Sequence, residues 1–177
     1  PLLLEVDNPT LTDVRVYRLG SSGRLTATHT GQALPLSSRD LDHPSFLFAI
    51  APERATTVHV RVASRAPVRV PLRLWRVEAF HAADRVSALL DGLFYGAMVL
   101  AAVFQLMLSF AVRDRTHPIF VGAIAMTCVT LLGFDGLGTY HLWPGLAPWA
   151  TDITTFAAVA TVVGLLAFTS QFLALRE

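Results

Sequence analysis

Three long apolar runs in the second half of the chain limit what it can fold into more than anything else. They cover about residues 89–112, 119–137 and 153–175. At 1.5 Å of rise per residue, roughly 20 helical residues cross the approximately 30 Å of bilayer hydrocarbon. A helix satisfies its own backbone polar groups, which lipid cannot do, and runs of this length fit poorly inside a soluble core. The runs are therefore read as membrane spans. The charges agree with this reading. Of the fourteen basic residues, all of them arginine, eleven precede Asp91. A net charge of +1 argues against nucleic-acid binding, which normally needs a dense basic face.

Residues 1–76 follow a different rule, a period of two that marks half-buried strands. Val14 and Val16 alternate with Arg15 and Tyr17, and Gly20-Ser21-Ser22-Gly23 forms a tight connection to a returning strand from Arg24 to His29. Phe46 to Ile50 reads as a more deeply buried strand. Val58, Val60 and Val62 alternate with His59 and Arg61, while Val68, Val70, Leu72 and Leu74 alternate with Arg69, Pro71 and Arg73. Proline cannot donate to a ladder, so Pro71 assigns the last strand to an edge or a bulge. Six short strands with Gly, Pro and Ser turns predict an antiparallel β-sandwich. It opens directly at Pro1 and is expected to be truncated, with an export signal upstream and more chain beyond Glu177.

Residues 77–90 form a helical connector, with Phe80, Ala83 and Val86 three apart and Glu78, Asp84 and Arg85 polar. No Gly or Pro interrupts it before Gly92, so it either transmits movement from the sandwich or serves as a plain stalk. Residues 91–177 are the transmembrane region. Arginine in the short loops sets the orientation. Arg113 and Arg115 follow the first span, the second loop carries no arginine, and Arg176 follows the third span. The first loop is therefore inside, and the second loop and residues 1–76 are outside. Tyr140, Trp143 and Trp149 in the second loop suit the membrane interface.

A search for catalytic chemistry finds none. The six histidines have no paired metal-ligand spacing, and neither a phosphate loop nor a nucleophile elbow occurs. No catalytic, metal or cofactor site is expected. Cys128 lies in an apolar run and reads as a small buried hydrophobe. Gln105 lies mid-span. Asp135, near the outer end of the second span, is either an interfacial structural residue or a coupling residue. Gly92 and Gly96 make a small-xxx-small element that serves either internal helix packing or a dimer face in the full-length protein. Arg15, Tyr17, His59, Arg61, Arg69 and Arg73 are the candidates for a polar ligand site, set against the plain alternative of a solvated sheet face.

The order of features resembles the bacterial seven-transmembrane receptors with diverse intracellular signalling modules. Leu4-Glu5-Val6-Asp7-Asn8-Pro9 and Asp13-Val14-Arg15-Val16-Tyr17 resemble that family's extracellular domain of the second type. Leu72-Arg73-Leu74-Trp75 leading to Glu78-Ala79-Phe80 is similar to the junction before its first span. Gly92-Leu93-Phe94-Tyr95-Gly96, Arg113-Asp114-Arg115, Asp135-Gly136-Leu137 and Leu142-Trp143-Pro144 follow in the expected sequence. The resemblance implies a jelly-roll-like sandwich that binds carbohydrates or other small molecules, and seven spans, of which three are present. It also implies a cytoplasmic diguanylate cyclase or histidine kinase. No ligand residue carries over from the family.

The expected function is the sensor portion of a multi-pass receptor in the bacterial cytoplasmic membrane, with its partners a small-molecule ligand and the lipid bilayer. The alternatives are a transporter or membrane enzyme fragment with an accessory domain, or a structural membrane anchor.

Overall fold

The computed structural model describes residues 2–19, 25–50, 57–64, 69–112 and 116–174. The expected turn at 20–23, the strand positions Arg24 and Val68, the loop arginines Arg113 and Arg115, and Arg176 lie outside the described residues. The chain divides into two compact units. One comprises Pro1–Asp84 with Leu132–Thr151, and the other Arg85–Leu131 with Asp152–Glu177.

Among the described residues, the first unit holds six strands: β1 (Leu2–Val6), β2 (Asp13–Leu19), β3 (Leu25–Thr30), β4 (Phe46–Ile50), β5 (Val58–Ala63) and β6 (Leu72–Arg76). They form two three-stranded antiparallel sheets, β4-β1-β6 and β3-β2-β5. Both sheets supply one buried cluster. Val6, Phe46 and Phe48 come from the first, Val14 and Val16 from the second, and Leu11 from the connection between them. The architecture is a β-sandwich, as the alternation predicts. Phe48 is fully buried, and its replacement by Ala is expected to cost about 3–5 kcal/mol.

β1 is buried along both faces because it is the central strand of its sheet, and only Glu5 in it is polar. Leu4 and Val6 turn into the core, whereas Leu3 lies in a second cluster with Leu47 and Phe80. Phe80 belongs to the first turn of helix α1 (Val77–Val112) and meets the Trp75 ring edge-on at 6.2 Å. Arg69, Val70 and Pro71, which the alternation assigns to the last strand, lie before it. β6 opens at Leu72, just after Pro71, whose carbonyl accepts the Asp7 amide at 3.1 Å. A residue without an N–H suits the point where a strand begins, and β6 lies at a sheet edge as expected.

The remaining helices are α2 (Thr116–Phe134) and α3 (Ala150–Ala174). Among the described residues, three segments are long and apolar enough to cross a membrane: Val77–Val112, His117–Phe134 and Pro144–Leu173. Helix α1 is unbroken for 36 residues, or about 54 Å. It exposes Leu93, Leu100, Phe104, Met107 and Phe110, a surface suited to lipid and costly in water.

Within the second unit, α1 and α2 meet where the Cys128 thiol faces the Met98 sulfur at 3.8 Å, and where His117 Nδ1 and Gln105 Oε1 stand 3.0 Å apart. Gln105 thus has a polar partner. Helices α2 and α3 approach closely at Gly164, where a Cβ would lie 3.2 Å from that of Ala123. The Phe120 and Phe168 rings meet at 4.7 Å beside it.

Candidate functional site

The pleat of β2 turns Arg15 and Tyr17 away from the core that Val14 and Val16 fill, and strand register supplies their neighbours. Arg15 lies opposite His29 on one side and Arg61 on the other, while Tyr17 lies opposite His59. Four of the six candidate ligand residues therefore share the outer face of the β3-β2-β5 sheet. Two guanidinium groups directly across a strand pair repel each other. Asp13 offsets part of this by accepting Arg15 in a fork, at 3.1 Å from Nε and 3.0 Å from Nη2. His29 Nε2 lies 3.3 Å from the same carboxylate. The Arg15 hydrogen bond, working against partial burial, holds the Asp13 carboxyl below the usual aspartate range. The result is a mixed polar face, cationic and aromatic, that suits an anionic or hydroxyl-rich molecule.

The other two candidates lie elsewhere. Arg73 is in register with Glu5 on the outer face of the opposite sheet and pairs with Asp7 at 3.0 Å. Arg69 is exposed, and its carbonyl accepts from Asn8 Nδ2 at 2.8 Å.

A second cluster forms where the first unit gathers its loops. A π-type turn (Gly138–Leu142) and a 3-10 segment (Pro144–Trp149) connect α2 to α3. Gly136 takes φ +75° just beyond the end of α2, and a Cβ there would lie 2.5 Å from that of Pro9. The Tyr140 hydroxyl donates to Asp42 Oδ1 at 2.8 Å, and the Arg39 guanidinium stands 6.0 Å from the Tyr140 ring centre. The Asp42 bond raises the Tyr140 hydroxyl above the usual tyrosine range, burial adds to this, and Arg39 opposes it. Arg39 also lies 5.2 Å from the Phe46 ring centre and donates through Nη1 to the carbonyls of His43 and Pro44. Its burial lowers its pKa from the usual arginine value.

Comparison with known families matches residues 1–76 to 7TMR-DISM extracellular 2, and residues 87–177 to 7TM diverse intracellular signalling. The chain belongs to the 7TM diverse intracellular signalling family. No curated protein and no solved structure matches it. The resemblance of the quoted passages to this family holds, in the same domain order. This 7TM diverse intracellular signalling protein is a membrane protein with an extracellular N-terminal domain, and it carries transmembrane signalling-receptor domains of a non-catalytic, sensor type.

Three coupling candidates of this 7TM diverse intracellular signalling chain are also placed. Asp135 is exposed in the bend just past α2. Gly92 and Gly96 lie on exposed faces of α1, and a Cβ on either would meet nothing within 4 Å. Sequence reasoning missed Arg39, Asp42 and His43 and assigned Tyr140 only to the membrane interface. The signal available was the density of charge in Arg39-Asp40-Leu41-Asp42-His43, between a turn and the most apolar strand.

Proposed function

We propose that this chain is the sensing portion of a multi-pass receptor in the bacterial cytoplasmic membrane. A small polar ligand, a carbohydrate or an anionic molecule, occupies the face that carries Arg15, Tyr17, His59 and Arg61. The bundle then relays its binding to a cytoplasmic output domain, a diguanylate cyclase or histidine kinase. The observation that carries this reading is the continuity of α1, which leaves the sandwich at Val77 and runs on to Val112 without a break. A ligand shifts such a device only by binding its two states with different affinity. Gly92 and Gly96 offer a close-approach face to a further span or to a second copy of the full-length protein.

Reading the gene on both sides of residues 1–177 tests the receptor. Four further spans followed by a cyclase or kinase support it. A polar-lined bundle without a soluble domain sinks it in favour of transport. For the ligand, the purified full-length protein in nanodiscs is screened by thermal shift against a panel of sugars, sugar acids and sugar phosphates. A shift that disappears in both Arg15→Ala and Arg61→Ala supports the outer-face site, and a shift that both variants retain removes it.

A further inference from the structure

The six residues Arg39–Pro44 touch both segments of the first unit that lead into membrane helices. Toward α1, His43 Nε2 stands 3.1 Å from Asp84 Oδ1, and the imidazole meets the Phe80 ring edge-on at 5.2 Å. Toward the α2–α3 connection, Asp42 accepts the Tyr140 hydroxyl at 2.8 Å, and the Pro44 carbonyl is 3.3 Å from where a Gly136 Cβ would lie. Asp42 and His43 are adjacent in sequence, so one peptide unit carries one contact to each side.

The segment is also braced internally and against the sandwich. Arg39 binds the His43 and Pro44 carbonyls and so closes the loop on itself. His43 Nδ1 accepts the Ser45 amide at 3.0 Å. Asp40 Oδ2 accepts the Ala49 amide and Arg18 Nη1, each at 3.1 Å. Directly after it, Phe46 and Phe48 of β4 are buried in the core. Farther along the connection, the Thr151 hydroxyl donates to Gln32 Oε1 at 3.0 Å, a second tie at the start of α3. A loop held at so many points moves as a piece, and a loosely packed loop would not carry a displacement from one side to the other.

We infer that Arg39–Pro44 is a coupling hub that links the first turns of α1 to the α2–α3 connection through the Asp42–Tyr140 and His43–Asp84 contacts. A shift of β4 within the sandwich then reaches α1 and α3 together. The role in signalling rests on the receptor reading above, whereas the mechanical link does not.

Hydrogen exchange on the full-length protein in lipid nanodiscs tests the link. Tyr140→Phe removes one hydroxyl and is mild enough to fold, and Asp84→Asn perturbs the other side. Each variant is expected to speed exchange in both residues 77–84 and residues 136–143, on the order of threefold or more on the far side. Acceleration confined to the mutated side in both variants overturns the hub. The second arm compares host transcript profiles. A deletion strain that differs from the parent while the Tyr140→Phe and Asp84→Asn strains match it overturns the hub as a signalling element. A deletion strain that matches the parent instead counts against the receptor reading, and exchange alone then decides the hub.

Discussion

The Trp75 indole donates from Nε1 to Glu5 Oε2 at 2.7 Å, although the two residues are diagonal neighbours across the β1–β6 pair. Glu5 is only 7% exposed, so its carboxyl leans on this donor in a largely buried place beside Trp75. Glu5→Ala strands the indole N–H and is expected to destabilise the sandwich by about 1–3 kcal/mol. Glu5→Gln keeps an acceptor and should lose less than half of that. Urea unfolding followed by tryptophan fluorescence measures both. Equal losses for Ala and Gln would mean that the negative charge matters more than the hydrogen bond.

Asp13 gives the sandwich a sensitivity to acid. Its carboxyl is held below the ordinary aspartate range, chiefly by the Arg15 hydrogen bond. The stabilising contribution is therefore fully present above the ordinary value of about 3.9 and is lost as pH falls through the depressed one. Both side chains are about a third exposed, so solvent keeps the effect small. Asp13→Asn is expected to flatten the acid limb of the stability–pH curve by a small loss of stability at neutral pH, leaving stability below the depressed value unchanged. An NMR titration that finds Asp13 at or above the ordinary value contradicts the fork geometry.

The strands were legible in the sequence because they follow a period of two, and the helices because their apolar runs are long. Val14 and Val16 against Arg15 and Tyr17 determine which side of β2 is buried, and the helices follow from apolar length alone. What local pattern does not carry is contact between distant segments. Asp42 and Tyr140 are 98 residues apart, and nothing near either residue specifies the other. The ligand candidates divide for the same reason. Arg73 alternates just as Arg61 does, but its strand joins the opposite sheet, and sheet membership is a tertiary choice. The early end of α2 was readable in principle from the glycines around Asp135, but the positive φ of Gly136 answers to Pro9, far away in sequence.

Tyr140 reports directly on its contact with the 39–44 segment. Its hydroxyl is raised above the ordinary tyrosine value of about 10, first by the Asp42 hydrogen bond. The contact therefore stabilises fully below that value and weakens as pH climbs through the raised one. Tyrosinate absorbance of the parent minus that of Tyr140→Phe isolates this residue from Tyr17 and Tyr95. Asp42→Asn is expected to bring its titration down toward the ordinary value. A titration that stays put would mean that burial, and not Asp42, sets it.

Gly136 is the position where an added methyl should do most harm. The left-handed backbone costs an L-residue roughly 1–2 kcal/mol, and the collision with the stiff Pro9 ring adds to it. Gly136→Ala is expected to lower the melting temperature and to speed proteolysis within residues 136–149. A variant as stable as the parent would show that this connection does not dock beside Pro9 in the membrane-embedded protein.

Gly92 and Gly96 give the opposite expectation. Each has open space where its Cβ would be, so alanine meets no clash within this chain. Alanine also lowers the backbone entropy cost of the helix by about 1 kcal/mol per residue relative to glycine. Gly92→Ala and Gly96→Ala should therefore keep or raise the thermal stability of the helices in residues 1–177. The full-length protein, compared by native mass spectrometry and melting, is the decisive contrast. If the same substitutions destabilise it, or break an oligomer, a helix outside residues 1–177 or a second copy sits in that notch, and the small residues serve close approach. If the full-length variants also gain stability, the glycines face lipid, and the small-xxx-small spacing carries no packing role.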